Sequence, residues 1–198
     1  MNTQLKHDDK TYWNSLYSSD HNLLPWNSHK VSPIIKKILK IVNISKFKVL
    51  DIGCGFGRHI DFFKNFNCEI TCIDISDEVI KLLKNKNVRL ICDDFLTHKF
   101  EEKYDIILDI NTSFLFTNNE KDKIISKIYN LLNFEKFYIN ESGYKQQSYD
   151  HIVPPKINIQ MIKKMMKNFD IISIEKNIIT ENKNFNPYYV IDTIAKKK

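Results

Sequence analysis

The chain has 198 residues, 42% of them hydrophobic, enough for one domain to bury a core without disulfide or metal staples. No apolar run reaches the length of a membrane span and the opening MNTQLKHDDK is too polar for a secretory leader, so a soluble, cytoplasmic protein with no membrane partner is expected. The formal charge of +6 sets 30 basic residues against 24 acidic ones, but apart from Arg58 and Arg89 the basic residues are scattered lysines, whereas nucleic-acid surfaces cluster arginines among aromatics, so nucleic acid is not the expected partner.

In chain order, TYWNSLY and SHKVSPIIKKILKIV have helical spacing and are expected to pack on the edge of the core as an N-terminal helical cap over residues 1–46. From residue 47 to 198, β-branched apolar runs alternate with helical periods. FKVLDIG reads as a strand, GRHIDFFKNF as a helix and EITCIDIS as a second strand. SDEVIKLLKN is a helix with acids in its first turn, where the helix dipole favours them. VRLICDD and YDIILDI follow as strands, NNEKDKIISKIYNLLN as an amphipathic helix capped by Asn, and KFYINE as a fifth strand. After the loop SGYKQQSYDHIVPPK come a helix, NIQMIKKMMKNF, and the strands DIISIEKN and YYVIDTIAK, with the terminal AKKK read as a solvated tail. The alternation predicts one α/β domain with a doubly wound, mostly parallel seven-stranded sheet. The last two strands leave no room for a crossover helix, so the final strand is expected to be antiparallel.

The four cysteines, Cys54, Cys68, Cys72 and Cys92, lack the C-x-x-C spacing of zinc or redox sites and read as free thiols; no metal is expected. Glycine is the informative residue. Three of the four in the chain, Gly53, Gly55 and Gly57, fall within VLDIGCGFGRH, after a strand and before a helix. There a tight turn is expected to bring bare backbone N–H groups against a ligand, with Gly57 giving room for helix packing. The spacing G-x-G-x-G matches neither a dinucleotide fingerprint nor a P-loop. Asp51, two residues before the first glycine, would repel a pyrophosphate and suits a ligand carrying an ammonium group, such as an amino acid joined to a nucleoside. Cys54 contributes backbone to this loop, and His59 is expected to pack or to face water.

With these residues the chain resembles the class I S-adenosylmethionine-dependent methyltransferases, a Rossmann-like family. The resemblance implies S-adenosyl-L-methionine as cofactor, held by Asp51, Gly53, Cys54, Gly55 and Gly57. It implies ribose recognition by Asp74 with Ile75 beside it, adenine recognition near Asp94 and the backbone of Phe95, and a methionine end near Asp109 and Ile110. Within the family the chain is most similar to the small tellurite-resistance and thiopurine-type enzymes, through YWNSLY, LPW, ESGYKQQ and YYVIDTIAKK. That likeness puts Trp13 over the cofactor and Trp26, Asn111, Glu141, Tyr144 and His151 around the acceptor, with Tyr144, His151 and Asp109 as candidates for a catalytic role.

The implied reaction is methyl transfer to a small-molecule acceptor, a thiol or chalcogen compound in the first place. A carboxylate or amine acceptor, transfer RNA, and a non-catalytic cofactor-binding sensor or partner subunit are the alternatives. Enzymes that methylate base amino groups carry an Asp/Asn-Pro-Pro-Tyr type motif after the fourth strand, where this chain has DINTSF.

Overall fold

The computed structural model describes residues 9–19, 24, 26–27, 30–145, 157–179 and 188–198. Two helices, α1 (Lys10–Ser18) and α2 (Pro33–Lys37), precede strand β1 (Lys48–Ile52). Then come α3 (Ile60–Lys64), β2 (Glu69–Asp74), α4 (Asp77–Leu83), β3 (Arg89–Cys92) and β4 (Tyr104–Ile110). The chain finishes with α5 (Asn118–Leu131), β5 (Leu132–Lys145), α6 (Ile159–Met165), β6 (Phe169–Ile179) and β7 (Tyr188–Lys197).

The seven strands lie in the order β3-β2-β1-β4-β5-β7-β6. β7 runs antiparallel to both β5 and β6, and the pairs from β3 across to β5 are parallel, as the sequence pattern predicts. Each strand sends alternate side chains to opposite faces. Val49, Ile106 and Leu108 meet α2, α3 and α4 through Ile34, Ile60 and Val79. Leu50 and Ile107 meet α5 and α6 through Ile128 and Ile162 on the other face. The order reverses between β1 and β4, and in open α/β sheets the crevice at such a point, beyond the carboxyl ends of the strands, is where ligands bind.

Local chemistry accounts for several boundaries. Ser76 caps α4 by accepting from Val79 N–H. α5 is capped by Thr117 in a reciprocal box with Glu120, which moves the cap one residue ahead of the expected Asn118. β5 begins directly at the end of α5 and slips register against β4 before Phe137, with Glu135 at φ +58° and Phe134 exposed. Only its regular ladder from Phe137 onward corresponds to the strand read from KFYINE, and Ser142 to Lys145, expected in a loop, extend it. The tail reading is corrected at Lys197, which continues the strand, and whose ammonium donates to the carbonyls of Tyr129 (2.7 Å) and Leu132 (2.9 Å) at the end of α5. A lysine stem covering apolar surface while its head caps a helix is invisible to composition. No helix among the described residues is long and apolar enough to cross a membrane.

Candidate functional site

The turn from β1 to α3 is held from below by β2. Gly53 N–H (2.8 Å) and Cys54 N–H (3.2 Å) both donate to the Ile73 carbonyl, and Gly57 N–H donates to the Cys54 carbonyl at 3.0 Å. Gly55 N–H donates to Asp74 Oδ2 at 3.1 Å. These four donors are satisfied within the protein, so the expected cradle of bare N–H groups is corrected. What the glycines provide is the absence of a Cβ. One at Gly53 would collide with the Thr112 side chain in the loop after β4, and one at Gly55 would stand 3.3 Å from the Tyr17 hydroxyl. Both positions have positive φ, +61° and +49°, which L side chains rarely adopt. A loop whose N–H groups point inward is a poor phosphate site and a good floor for a nucleoside lying close to the backbone.

Asp74 ends β2 beside this loop and is 7% exposed. Its second oxygen accepts from Ser76 N–H at 3.0 Å. Burial pushes its pKa up to about 6 against the opposing pull of the Ser76 and Gly55 hydrogen bonds. A carboxylate offers about four acceptor positions, so two remain for further donors such as a pair of hydroxyls. α1 closes over the loop: Tyr17 is edge-on to Phe56 at 5.2 Å, and Trp13 lies 6.3 Å from both Tyr17 and Trp26. Asn14 and Lys10 latch the helix to the start of α4 through Asp77 at 2.7 and 3.2 Å, and Ser76 Oγ donates to Asn14 at 2.7 Å.

Toward β5 the edge carries a buried polar network. Glu141, 1% exposed, accepts from Ser32 Oγ at the start of α2 and from Asn111 Nδ2 at 2.6 Å, and Arg58 reaches within 3.9 Å of it. Burial raises its pKa while Arg58 and Ser32 lower it. Asn111 is itself at φ +60°, fixed by its N–H bond to the Glu141 carbonyl at 2.8 Å. Asp51, also buried, accepts from His59 Nδ1 at 3.2 Å, the one arrangement in which an acceptor-only carboxylate bonds that nitrogen. His59, expected to pack or face water, is 4% exposed and Asp51's partner.

The other candidates fall in different places. Asp109 is 0% exposed; its carboxylate accepts from Tyr138 Oη (2.6 Å), Asn140 Nδ2 (3.1 Å) and Ser113 N–H (2.8 Å). It is thereby corrected from candidate base to a brace fixing the loop after β4. Asp94 accepts from Leu96 N–H at 2.9 Å and shapes the turn after β3, next to Asp74 through the Asp93 N–H bond to the Asp74 carbonyl at 3.1 Å. The Phe95 side chain is buried in the core. Ile75 is half-buried and Ile110 buried at the ends of their strands. Cys54 is buried with its thiol pushed up, first by its hydrogen bond with Cys72 and then by burial, so it is no nucleophile. His151 and the Tyr144 side chain lie outside the described residues. Among the described residues no group of three or more His, Cys, Asp or Glu is arranged to hold a metal ion.

Sequence reasoning missed Tyr17, Ser32, Arg58 and Thr112. Arg58 carries the one available signal: it is one of two arginines in a lysine-rich chain and directly follows the third glycine. Ser32 meets Glu141 across 109 residues, a pairing no local pattern encodes.

Residues 49–135 match a family model described as a methyltransferase domain. The ribosomal RNA small subunit methyltransferase A of Mesomycoplasma hyopneumoniae (strain 232) is 35% identical over 119 residues, covering 56% of this chain and 42% of that protein. The chain spans about half the length of the curated relatives it matches. Among solved structures, TehB from Haemophilus influenzae superposes with a TM-score of 0.70 at 20% identity, over 87% of this chain and 64% of that one. The magnesium protoporphyrin IX methyltransferase from Synechocystis PCC 6803, with bound S-adenosylmethionine, gives 0.73 at 16% identity over 100% of both.

Proposed function

We propose that the chain is a class I S-adenosylmethionine-dependent methyltransferase, in keeping with the methyltransferase-domain match over residues 49–135, that binds S-adenosylmethionine at the carboxyl ends of β1 and β2 and transfers the methyl group to a small-molecule acceptor. The observation that carries this is the pairing of a Cβ-free turn at Gly55 with the buried Asp74 carboxylate, which receives the Gly55 N–H and retains acceptor positions for ribose hydroxyls. When bound, the cofactor would supply an activated sulfonium methyl that an acceptor lone pair attacks in line, with S-adenosylhomocysteine as the leaving group. The protein's part is then alignment and exclusion of water. Asp51 faces the amino-acid end, Asp94 and the Phe95 backbone the adenine, and Trp13 with Tyr17 covers the loop from α1.

The favoured acceptor is a thiol or chalcogen compound. An alcohol needs a base, and Asp109 is committed to three donors, whereas a thiol of pKa about 8.5 supplies its own thiolate near neutrality. Trp26, Asn111, Glu141, Tyr144 and His151 remain the residues assigned to the acceptor side. Methylation of RNA is the second reading, favoured by the names of the curated relatives. Against it, the segment Asp109-Ile110-Asn111-Thr112-Ser113-Phe114 after β4 has no proline and its Asn111 amide is bound to Glu141.

Isothermal titration with S-adenosylmethionine tests the cofactor. Label transfer from methyl-labelled cofactor to a panel of thiols, chalcogenides, amines, carboxylates and RNA tests the acceptor. Binding without turnover on any member would favour a sensor, and label in RNA alone would replace the small-molecule reading.

A further inference from the structure

The two residues after the glycine loop, Arg58 and His59, carry polar groups that the other described residues leave uncommitted. The Arg58 side chain is 12% exposed, and its guanidinium makes no hydrogen bond among the described residues; its single ion-pair contact is Glu141 at 3.9 Å. Glu141 holds it only at that longer range, its two oxygens accepting at hydrogen-bond distance from Ser32 and Asn111 instead. A guanidinium has five donors in a planar fork matched to a carboxylate, and shielding it from water with those donors unused is costly. His59 is 4% exposed; its Nδ1 is spent on Asp51, and its Nε2 is buried with no partner among the described residues. Asp51 and Arg58 therefore bracket the three glycines with opposite charges, Asp51 held in place by an imidazole and Arg58 awaiting an anion. A ligand end that satisfies both is a zwitterion: an ammonium and a carboxylate on one carbon.

Resting on the S-adenosylmethionine reading above, we propose that Arg58 takes the carboxylate of the cofactor's amino-acid end while His59 acts as a positioning residue that orients Asp51 toward its ammonium. The loop then reads both charges of that end. A ligand lacking the carboxylate loses the Arg58 contact and keeps the Asp51 contact. A ligand lacking the whole amino-acid end is indifferent to both residues.

Three probes separate these contacts by calorimetry on the full chain: S-adenosylmethionine, its decarboxylated analogue, which keeps the ammonium, and 5′-methylthioadenosine, which has neither group. Wild-type protein is expected to bind S-adenosylmethionine about 10- to 100-fold more tightly than the decarboxylated analogue, the range for a charge-assisted hydrogen-bonded pair. Arg58→Met should abolish that gap by weakening S-adenosylmethionine alone. Arg58→Lys, which keeps the charge and loses the fork, should retain part of it, so the assignment does not depend on the folding of one variant. His59→Phe should weaken both charged ligands equally and leave methylthioadenosine unchanged. Arg58→Met with the gap intact, or with both ligands weakened alike, overturns the carboxylate assignment, and a His59→Phe protein with normal affinities overturns the positioning role. Wild-type protein that binds none of the three probes overturns the cofactor reading itself, and this inference with it.

Discussion

At the carboxyl edge, the half made by β1 and β2 and the half made by β4 and β5 are built differently. On β1 and β2 the site is local. Gly53, Gly55 and Gly57 sit within five residues, their turn is tied to the adjacent strand by main-chain bonds, and the one long-range acid, Asp74, is reached directly from the Gly55 N–H. On β4 and β5 the polar groups converge from far apart in the chain: Ser32 ahead of α2, Asn111 after β4 and Glu141 on β5. The first half shapes backbone around a ligand; the second satisfies buried charge with side chains. Substitutions in the first should therefore act on cofactor affinity with modest loss of stability. Those in the second should act on stability first.

The largest effect is expected at Gly55. Valine there must hold a β-branched side chain at φ +49° and place its Cβ against the Tyr17 hydroxyl, under the helix that closes the loop. Gly55→Val should lower cofactor affinity more than about 100-fold, while the strain itself costs about 1–3 kcal/mol of stability. Calorimetry beside a thermal melt decides the matter, and a normal dissociation constant would remove the loop from the site. Next comes Asp74→Ala, which deletes an acceptor for two ribose hydroxyls and should weaken binding by about 2–4 kcal/mol. An unchanged constant in a folded Asp74→Ala protein would refute the ribose assignment.

Ser32→Ala probes the other half. It removes one donor from the buried Glu141 carboxylate, so stability should fall by about 1–2 kcal/mol, a few degrees in melting temperature for a chain of this size. The cofactor constant should stay within about threefold, since hydrogen bonds this far along the edge contribute alignment more than affinity. A Ser32→Ala protein that melts normally but binds cofactor poorly would erase the distinction between the halves.

The same distinction explains what the sequence discloses. The glycine turn between β1 and α3, the position of Asp74 at the end of β2, the mostly parallel sheet and the reversed last strand follow from spacing and periodicity within short windows, and each lies where it was expected. Asp109 looked like a candidate base because its position at the end of β4 is visible, while the Tyr138 and Asn140 donors that neutralise that role come from a neighbouring strand 29 and 31 residues away. His59 looked unremarkable because one histidine in a helix turn has no signature. Its meaning comes from Asp51, eight residues earlier on the adjacent strand. Lys197 read as tail because nothing in AKKK announces that β7 runs past the end of α5.

The smallest expected effect is a pH dependence, and it tests whether Asp74 is a ligand group or only a loop brace. Burial raises its folded-state pKa to about 6, whereas an unfolded Asp titrates near 3.9. A raised folded pKa means the folded protein binds the proton more tightly, so this group's contribution to stability is full below about pH 4 and is lost as pH rises through 6, a change of about 3 kcal/mol at most. Cofactor binding runs the other way. Ribose hydroxyls need the ionised carboxylate as acceptor, so the proton competes with the ligand and affinity should rise between pH 5 and pH 7 by about tenfold, levelling above 6. Calorimetry at pH 5, 6 and 7 should show that break in the wild type and its absence in Asp74→Asn, whose side chain does not titrate. A break of equal size in Asp74→Asn would place the titrating group elsewhere and leave Asp74 as a brace for Gly55 and Ser76 alone.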